Sequence, residues 1–248
     1  MSKLSIAIQI YTLRDTLKDG YENTFKHIAD TGYSGVELVW DPDHGDVIKD
    51  LLAKYKLVGT GTHVGLDALE NDYSRVIEYL KKIGSTHPII PGVNNDYFHS
   101  VDSMKELCGK IEVVAKKLAD DGCDLGFHNH TSEYGIKLAG RTIMDIFYDE
   151  APSLKFEVDC GWAWAAGADV IASLKKIGDR LAFIHVKDID EKNVPTEVGN
   201  GIVNMPKIFD TAASLGVKWG VVEQDSCTNF PPFDAVAVSK KYIDTING

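Results

Sequence analysis

Several familiar signatures are missing from this chain of 248 residues. It has no CxxC pair. Its four cysteines, Cys108, Cys123, Cys160 and Cys227, are scattered, so a disulfide framework or a thiolate zinc site is not indicated and reduced, mostly buried thiols are expected. No apolar run approaches the roughly 20 residues needed to cross a bilayer. The opening MSKLSIAIQIYTLRD meets Arg14 and Asp15 too early for a signal-peptide core, which makes the cytoplasm the expected compartment. Positive charge is also short: 26 Lys and Arg stand against 37 Asp and Glu, a formal net charge of −11. Such a surface repels a phosphate backbone and argues against nucleic acid. The basic pairs, such as Lys81-Lys82 and Lys175-Lys176, fall late in expected helices, where they complement the helix dipole rather than form a patch.

What the chain does contain is a steady alternation of short apolar runs and amphipathic stretches. Buried parallel strands read as apolar runs. The runs predict strands over Ser5–Gln9, Gly35–Val39, Leu57–Thr62, Pro88–Pro91, Leu125–His130, Leu154–Asp159, Ala182–Val186 and Gly220–Glu223. The helical pattern predicts Tyr21–Asp30, Asp46–Tyr55, Asp72–Ile83, Val101–Asp120, Arg141–Glu150, Asp169–Ile177, Met205–Leu215 and Asp234–Thr245. Gly32, Gly84, Gly122, Gly178 and Gly216 each follow one of these helices, as left-handed C-terminal glycines do. Strand–helix repeats of this number and length close most simply into a (β/α)8 TIM barrel, here one domain over 1–248. An open doubly wound sheet would want a Gly-rich phosphate loop after the first strand, where Tyr11-Thr12-Leu13-Arg14-Asp15 stands instead.

Four successive strands end in polar residues: LGFHNHTSE in His128, His130 and Glu133, LKFEVD in Asp159, LAFIHVKD in His185 and Lys187, and WGVVEQD in Glu223. In a barrel the strand carboxyl ends share one mouth, so these side chains can converge. Carboxylate with imidazole suits a divalent metal. A lone buried histidine is usually a hydrogen-bonded core residue, and a lone strand-end aspartate usually caps the next helix; the repetition over four strands is what favours a metal. Position adds further mouth candidates: Gln9 and Tyr11 at the end of strand one, Glu37 in strand two, His63 after strand three, and Trp162 after strand six as an apolar wall.

The segments IQIYTLRD, GYSGVEL, GFHNHTSEY, EVDCGWAW, HVKD, GNGIVNMPKIF and VVEQD, in this order and spacing, resemble the xylose isomerase-like TIM barrel superfamily of sugar isomerases, epimerases and dehydratases. The resemblance runs the length of the chain. It implies one divalent metal, Mn²⁺ first, with Co²⁺, Mg²⁺ or Zn²⁺ as substitutes, held by an acid of strand five, Asp159, His185 and Glu223. The chain departs from that pattern at strand five, where His128 stands at the usual glutamate position and the nearest acid is Glu133. Glu133 is the expected ligand and His128 the alternative. The HNHxxE pattern is closer to the inosose dehydratases and 3-keto-sugar enzymes than to the ketose 3-epimerases.

The implied chemistry is proton removal beside a carbonyl of a sugar or related polyol. Glu223 or His128 would be the base, and His130, His63 or Lys187 the acid or oxyanion partner. Isomerisation or epimerisation is the first reading, and dehydration or elimination the second. Phosphodiester hydrolysis, found in apurinic-site endonucleases that resemble the same barrel, wants a histidine where Trp162 stands. A non-catalytic or hetero-oligomeric subunit is the remaining alternative, with Asn229–Phe233 as an apolar contact or a packed turn. A homo-oligomer is compatible with the sequence.

Overall fold

The computed structural model describes residues 3–247. Eight parallel strands form a closed barrel: β1 (Ser5–Gln9), β2 (Gly35–Val39), β3 (Val58–His63), β4 (Pro88–Ile90), β5 (Gly126–His128), β6 (Lys155–Asp159), β7 (Leu181–Val186) and β8 (Trp219–Val222). Neighbours in sequence are neighbours in the barrel, and β1 closes on β8 with Ala7 opposite Val221. The outer ring is α1 (Tyr21–Asp30), α2 (Gly45–Tyr55), α3 (Tyr73–Ile83), α4 (Val101–Asp120), α5 (Ile143–Glu150), α6 (Val170–Ile177), α7 (Met205–Ser214) and α8 (Pro232–Ile246). The single-domain (β/α)8 expectation holds.

Strand alternation sorts the side chains. On β6, Phe156 and Val158 enter the apolar layer beneath the helices, while Glu157 and Asp159 contact imidazoles of the neighbouring strands β5 and β7. On β2 the same division separates Val36 and Leu38 from Glu37. The apolar layer therefore holds each helix on the sheet, and the inward faces near the strand carboxyl ends are left for polar groups.

The larger departures from the sequence-based boundaries lie at the mouth. β5 stops at His128 rather than His130, because a short helix, Thr131–Gly135, begins directly afterwards. α5 starts at Ile143 rather than Arg141: Thr142 and Asp145 cap it reciprocally, and Arg141–Thr142 pairs with Lys137–Leu138 as a small ribbon. Two more short helices, Leu66–Asn71 and Cys160–Ala165, and a second ribbon, Asp188–Ile189 with Pro195–Thr196, were not foreseen. The expected Asn229–Phe233 contact is mostly a packed turn. Asn229 donates to Thr196 and Glu197, Phe233 stacks on His27 with centroids 4.0 Å apart, and Phe230 stays 41% exposed.

Phe127 on β5 is fully buried and meets Phe147 of α5 at 4.3 Å between ring centroids. Replacing it with alanine removes a large side chain that cannot be refilled, so Phe127→Ala should lower unfolding stability by about 3–5 kcal/mol in urea denaturation.

Candidate metal centre and active site

At the carboxyl ends of the strands, Glu37, His63, His128, Glu157, Asp159, His185, Lys187 and Glu223 form one connected network. Its centre is Glu157, which is fully buried. Glu157 Oε2 lies 3.0 Å from His63 Nε2, 3.2 Å from His128 Nδ1 and 3.0 Å from His185 Nε2. Glu37 Oε2 adds 2.7 Å to His185 Nε2 and 3.2 Å to His63 Nε2, and is itself held by the amide of Gln9 at 2.6 Å.

The other nitrogens of His128 and His185 face a second set of acids. His185 Nδ1 is 3.0 Å from Glu223 Oε2 and 3.8 Å from Asp159 Oδ2, and His128 Nε2 is 4.0 Å from Asp159 Oδ2. Donor atoms of His128, Asp159, His185 and Glu223 all lie within 4.8 Å of one another, and so do those of His63, His128, Glu157 and His185. Ligand chemistry decides between these two groups. A metal-binding imidazole normally gives its second ring nitrogen to a carboxylate, which fixes tautomer and orientation. Glu157 holds His128 and His185 in that way only if the metal-facing nitrogens are those turned toward Asp159 and Glu223. The first group suits a divalent ion, and Glu157 with Glu37 orients its histidines. Asp159 fits as well. Its Oδ1 caps the helix Cys160–Ala165 by accepting from Trp162 N at 2.7 Å, while buried Oδ2 has no hydrogen-bond partner among the described residues and keeps ionic contacts with Lys187, His185 and His128. One carboxylate thus does both the capping and the site work that the sequence offered as alternatives.

Lys187 is the fixed cation of the site. Its Nζ is 2.9 Å from Asp159 Oδ2, 3.0 Å from Glu223 Oε2 and 2.7 Å from Asp225 Oδ2, beneath the Trp162 ring at 4.6 Å. The close packing needs Gly161, where a Cβ would come within 2.7 Å of the Lys187 carbonyl oxygen. Burial disfavours the ammonium, but Asp159, Glu223 and Asp225 outweigh it and raise the Lys187 pKa. Burial and the carboxylates divide the histidines in the same way. Burial would lower His63, yet Glu37 and Glu157 lift it to about 10. His185 is likewise raised, with Glu157, Glu37 and Glu223 overcoming burial. His128 goes the other way, to about 3, through burial and the neighbouring His185, so it is a neutral imidazole ready to ligate. Glu223 is driven low, since Lys187 and His185 overcome its desolvation.

Above this network opens a cavity of about 420 Å³, lined by Tyr11, Trp40, His63, His128, His130, Glu223 and Asp225 among others. That volume lies in the usual range of small-molecule pockets. Tyr11, His63, His128, His130 and Glu223 therefore sit where the sequence placed them.

Other expectations need correction. Glu133 stands outside the cluster: its Oε2 accepts from His130 N at 2.8 Å and Ser132 Oγ at 3.0 Å, capping the helix Thr131–Gly135, and the strand-five member of the cluster is His128. Gln9 is not among the residues that line the cavity: it is fully buried with its amide nitrogen on Glu37 and its oxygen accepting from Tyr11 N. Glu37 is buried below the cavity as a partner of His63 and His185, not as a wall. Trp162 covers Lys187 rather than lining the cavity, and Lys187 is itself fully buried under it. Sequence reasoning missed Glu157 and Asp225. The signal for Glu157 was present, since it lies two residues before Asp159 and so on the same face of β6. Asp188, in the same HVKD motif, is structural: its carboxylate accepts backbone N–H groups of Ile189, Gly199, Gly201 and Val203 and shapes the loop after β7.

A closed eight-stranded parallel barrel, here with an imidazole–carboxylate cluster at its strand ends that could hold a metal ion, defines the class of TIM barrels. Within it, the chain belongs to the xylose isomerase-like TIM barrel family, whose model matches residues 25–243. Similar solved structures include a sugar phosphate isomerase/epimerase from Parabacteroides distasonis, with 18% identity, TM-score 0.85 and coverage of 98% of this chain and 94% of that one. A probable 3-DHS dehydratase from Bacillus anthracis has 14% identity and TM-score 0.79, covering 97% and 99%. D-psicose 3-epimerase from Clostridium cellulolyticum has 12% identity and TM-score 0.76, covering 98% and 99%. No curated protein matches the chain by sequence. Among the described residues, no helix is long and apolar enough to cross a membrane.

Two predictions follow from the ligand geometry. His128→Ala should weaken Mn²⁺ binding at least 10-fold in titration calorimetry, whereas Glu133→Gln should leave metal affinity within about 2-fold and cost about 1 kcal/mol of stability through the lost cap. His185 is protonated in the metal-free protein, and a ligand imidazole must give that proton up at the ligating nitrogen. Metal affinity should therefore rise with pH, about 10-fold per unit for one displaced proton, when Kd is measured between pH 6 and 8.

Proposed function

We propose that this protein is a divalent-metal-dependent enzyme that moves a proton beside a carbonyl of a keto-sugar or related polyol, as sugar isomerases and epimerases do. The observation that carries the reading is the double use of His128 and His185: Glu157 holds one nitrogen of each, and the other faces Asp159 and Glu223 under the cavity. His128, Asp159, His185 and Glu223 would hold the ion. Carboxylate and imidazole donors suit Mn²⁺ first, with Co²⁺, Mg²⁺ or Zn²⁺ as substitutes. When bound there, such an ion polarises a carbonyl and its neighbouring hydroxyl and makes the adjoining C–H more acidic. The names of the structural neighbours, an isomerase/epimerase, a dehydratase and a 3-epimerase, support sugar or polyol chemistry.

The chain's own groups divide the proton work. Glu223, kept ionised, faces the cavity and serves as base. His63 is held as imidazolium by Glu37 and Glu157 through Nε2, which leaves Nδ1–H as the donor free of that pairing. His130 and Asp225 complete the polar wall, and Lys187 keeps Glu223 and Asp159 oriented from below. A dehydratase or lyase is the second reading, and one observation favours it. The position that would carry a second base opposite Glu223 is His128, neutral and facing Asp159, so a two-glutamate epimerisation lacks a partner. Elimination needs one base and one acid, and Glu223 with His63 supplies both. The reading also takes in a small-molecule sugar as the partner, a cytoplasmic location and compatibility with a homo-oligomer.

Solvent-deuterium exchange at the carbon beside the carbonyl, followed by NMR over a panel of ketohexoses, 3-keto-glucose and inososes, tests the proposal. Exchange should vanish on chelation, return with Mn²⁺ or Co²⁺, and fall about 10³-fold in Glu223→Gln, a loss typical of removing a general base. Full exchange by the chelated protein sinks it.

A further inference from the structure

A second cavity of about 300 Å³ joins the first. The two share Tyr11, Val39 and Trp40 as a common wall. Beyond that wall the lining is Ile10, Leu17, Leu38 and Ile48 with the rings of Tyr21 and Trp40. Tyr11 and Val39, at the junction, are 44% and 40% exposed, although both are large apolar side chains.

The two charged residues of this compartment are already committed. Arg14 donates to the backbone oxygens of Tyr11 and Asp225, each at 2.8 Å, and lies over the Tyr11 ring at 4.2 Å. Asp41 accepts from the Tyr21 hydroxyl and pairs with His44 at 2.9 Å. The indole Nε1 of Trp40 is buried without a hydrogen-bond partner among the described residues, so it too is closed to a ligand in the cavity. A phosphate or a second sugar would find few unspent donors here. A flat apolar group would find aromatic walls and an aliphatic floor.

Resting on the keto-sugar reading above, we propose that the substrate is a sugar bearing an aromatic substituent, with the sugar over Glu223 and the arene in this second compartment. Size agrees: an apolar cavity of roughly 150 Å³ already accepts benzene, and this one is about twice that. Continuity agrees as well, because Tyr11 and Trp40 border both spaces, and a ligand lying across the junction covers the exposed faces of Tyr11 and Val39. The arene supplies affinity without touching the proton-transfer groups. It also sets preference among substrates that share the same sugar.

Titration of the full-length, Mn²⁺-loaded protein with methyl β-D-glucoside, phenyl β-D-glucoside and phenol, read by calorimetry, tests this. Phenyl should bind at least 10-fold more tightly than methyl. In Leu17→Trp, which fills only the second compartment, that preference should shrink to within about 2-fold. Ile48→Trp, a second variant that narrows the same compartment from its aliphatic side, should likewise shrink the phenyl preference to within about 2-fold. Equal affinity for phenyl and methyl glucosides overturns the arene proposal and leaves the metal-dependent reading intact. If neither glucoside binds while phenol binds saturably and is lost in Leu17→Trp, the sugar assignment is overturned and the arene compartment stands. Absence of phenol binding together with equal glucoside binding overturns the compartment itself.

Discussion

One buried carboxylate organises the mouth of this barrel. Glu157 has no exposure to water and meets three imidazoles through the same oxygen. A carboxylate so placed stays ionised only because its neighbours carry or share positive charge; His185 and His128 counter the burial and the nearby Glu37. In return it sets which nitrogen of each histidine faces the cavity side. The orientation of the rings and, together with Glu37, the protonated state of His63 trace back to this contact set, whereas the neutral state of His128 comes from burial and from His185 against the pull of Glu157.

Charge balance extends the same constraint. Five carboxylates, Glu37, Glu157, Asp159, Glu223 and Asp225, surround one ammonium and three imidazoles. With His63 and His185 protonated and His128 neutral, the network still carries an excess of about two negative charges at neutral pH, counting ordinary ionisation for the acids. A divalent cation bound there would offset most of it, since His185 gives up a proton on ligating. Lys187 stays as a separate, permanent charge because Gly161 lets the helix after β6 close over it and Trp162 seals it from water. The position of Lys187 is thus a packing result, and its effect on Asp159 and Glu223 is electrostatic.

The legibility of the site varied residue by residue. Asp159, His185 and Glu223 stand out because each interrupts or ends an apolar run, and a polar group there has few reasons to exist other than a site. Glu157 carries the same alternation but sits between Phe156 and Val158 in mid-strand, where a lone glutamate looks like an ordinary buried ion-pair partner. Glu133 was misread because two explanations of an acid after a strand compete. It lies three residues after His130, the spacing of a helix-capping acid, and the capping interaction wins because the backbone N–H it satisfies is immediate in sequence. Gln9 and Trp162 were assigned to the mouth by position alone. Their rotamers turn them to Glu37 and Lys187, and no local pattern encodes a rotamer chosen by a residue on another strand.

The sequence by itself determined the (β/α)8 barrel, the positions of its strands to within one or two residues, and the convergence of polar strand ends on one mouth. These follow from periodicity, which is a property of adjacent residues. Only the tertiary structure decided that His128 rather than Glu133 joins Asp159, His185 and Glu223, that Glu157 underlies them, and that an apolar chamber adjoins the cavity. Those outcomes depend on side chains from strands far apart in the chain meeting at distances of 3–4 Å, and such meetings exist only once the barrel has closed.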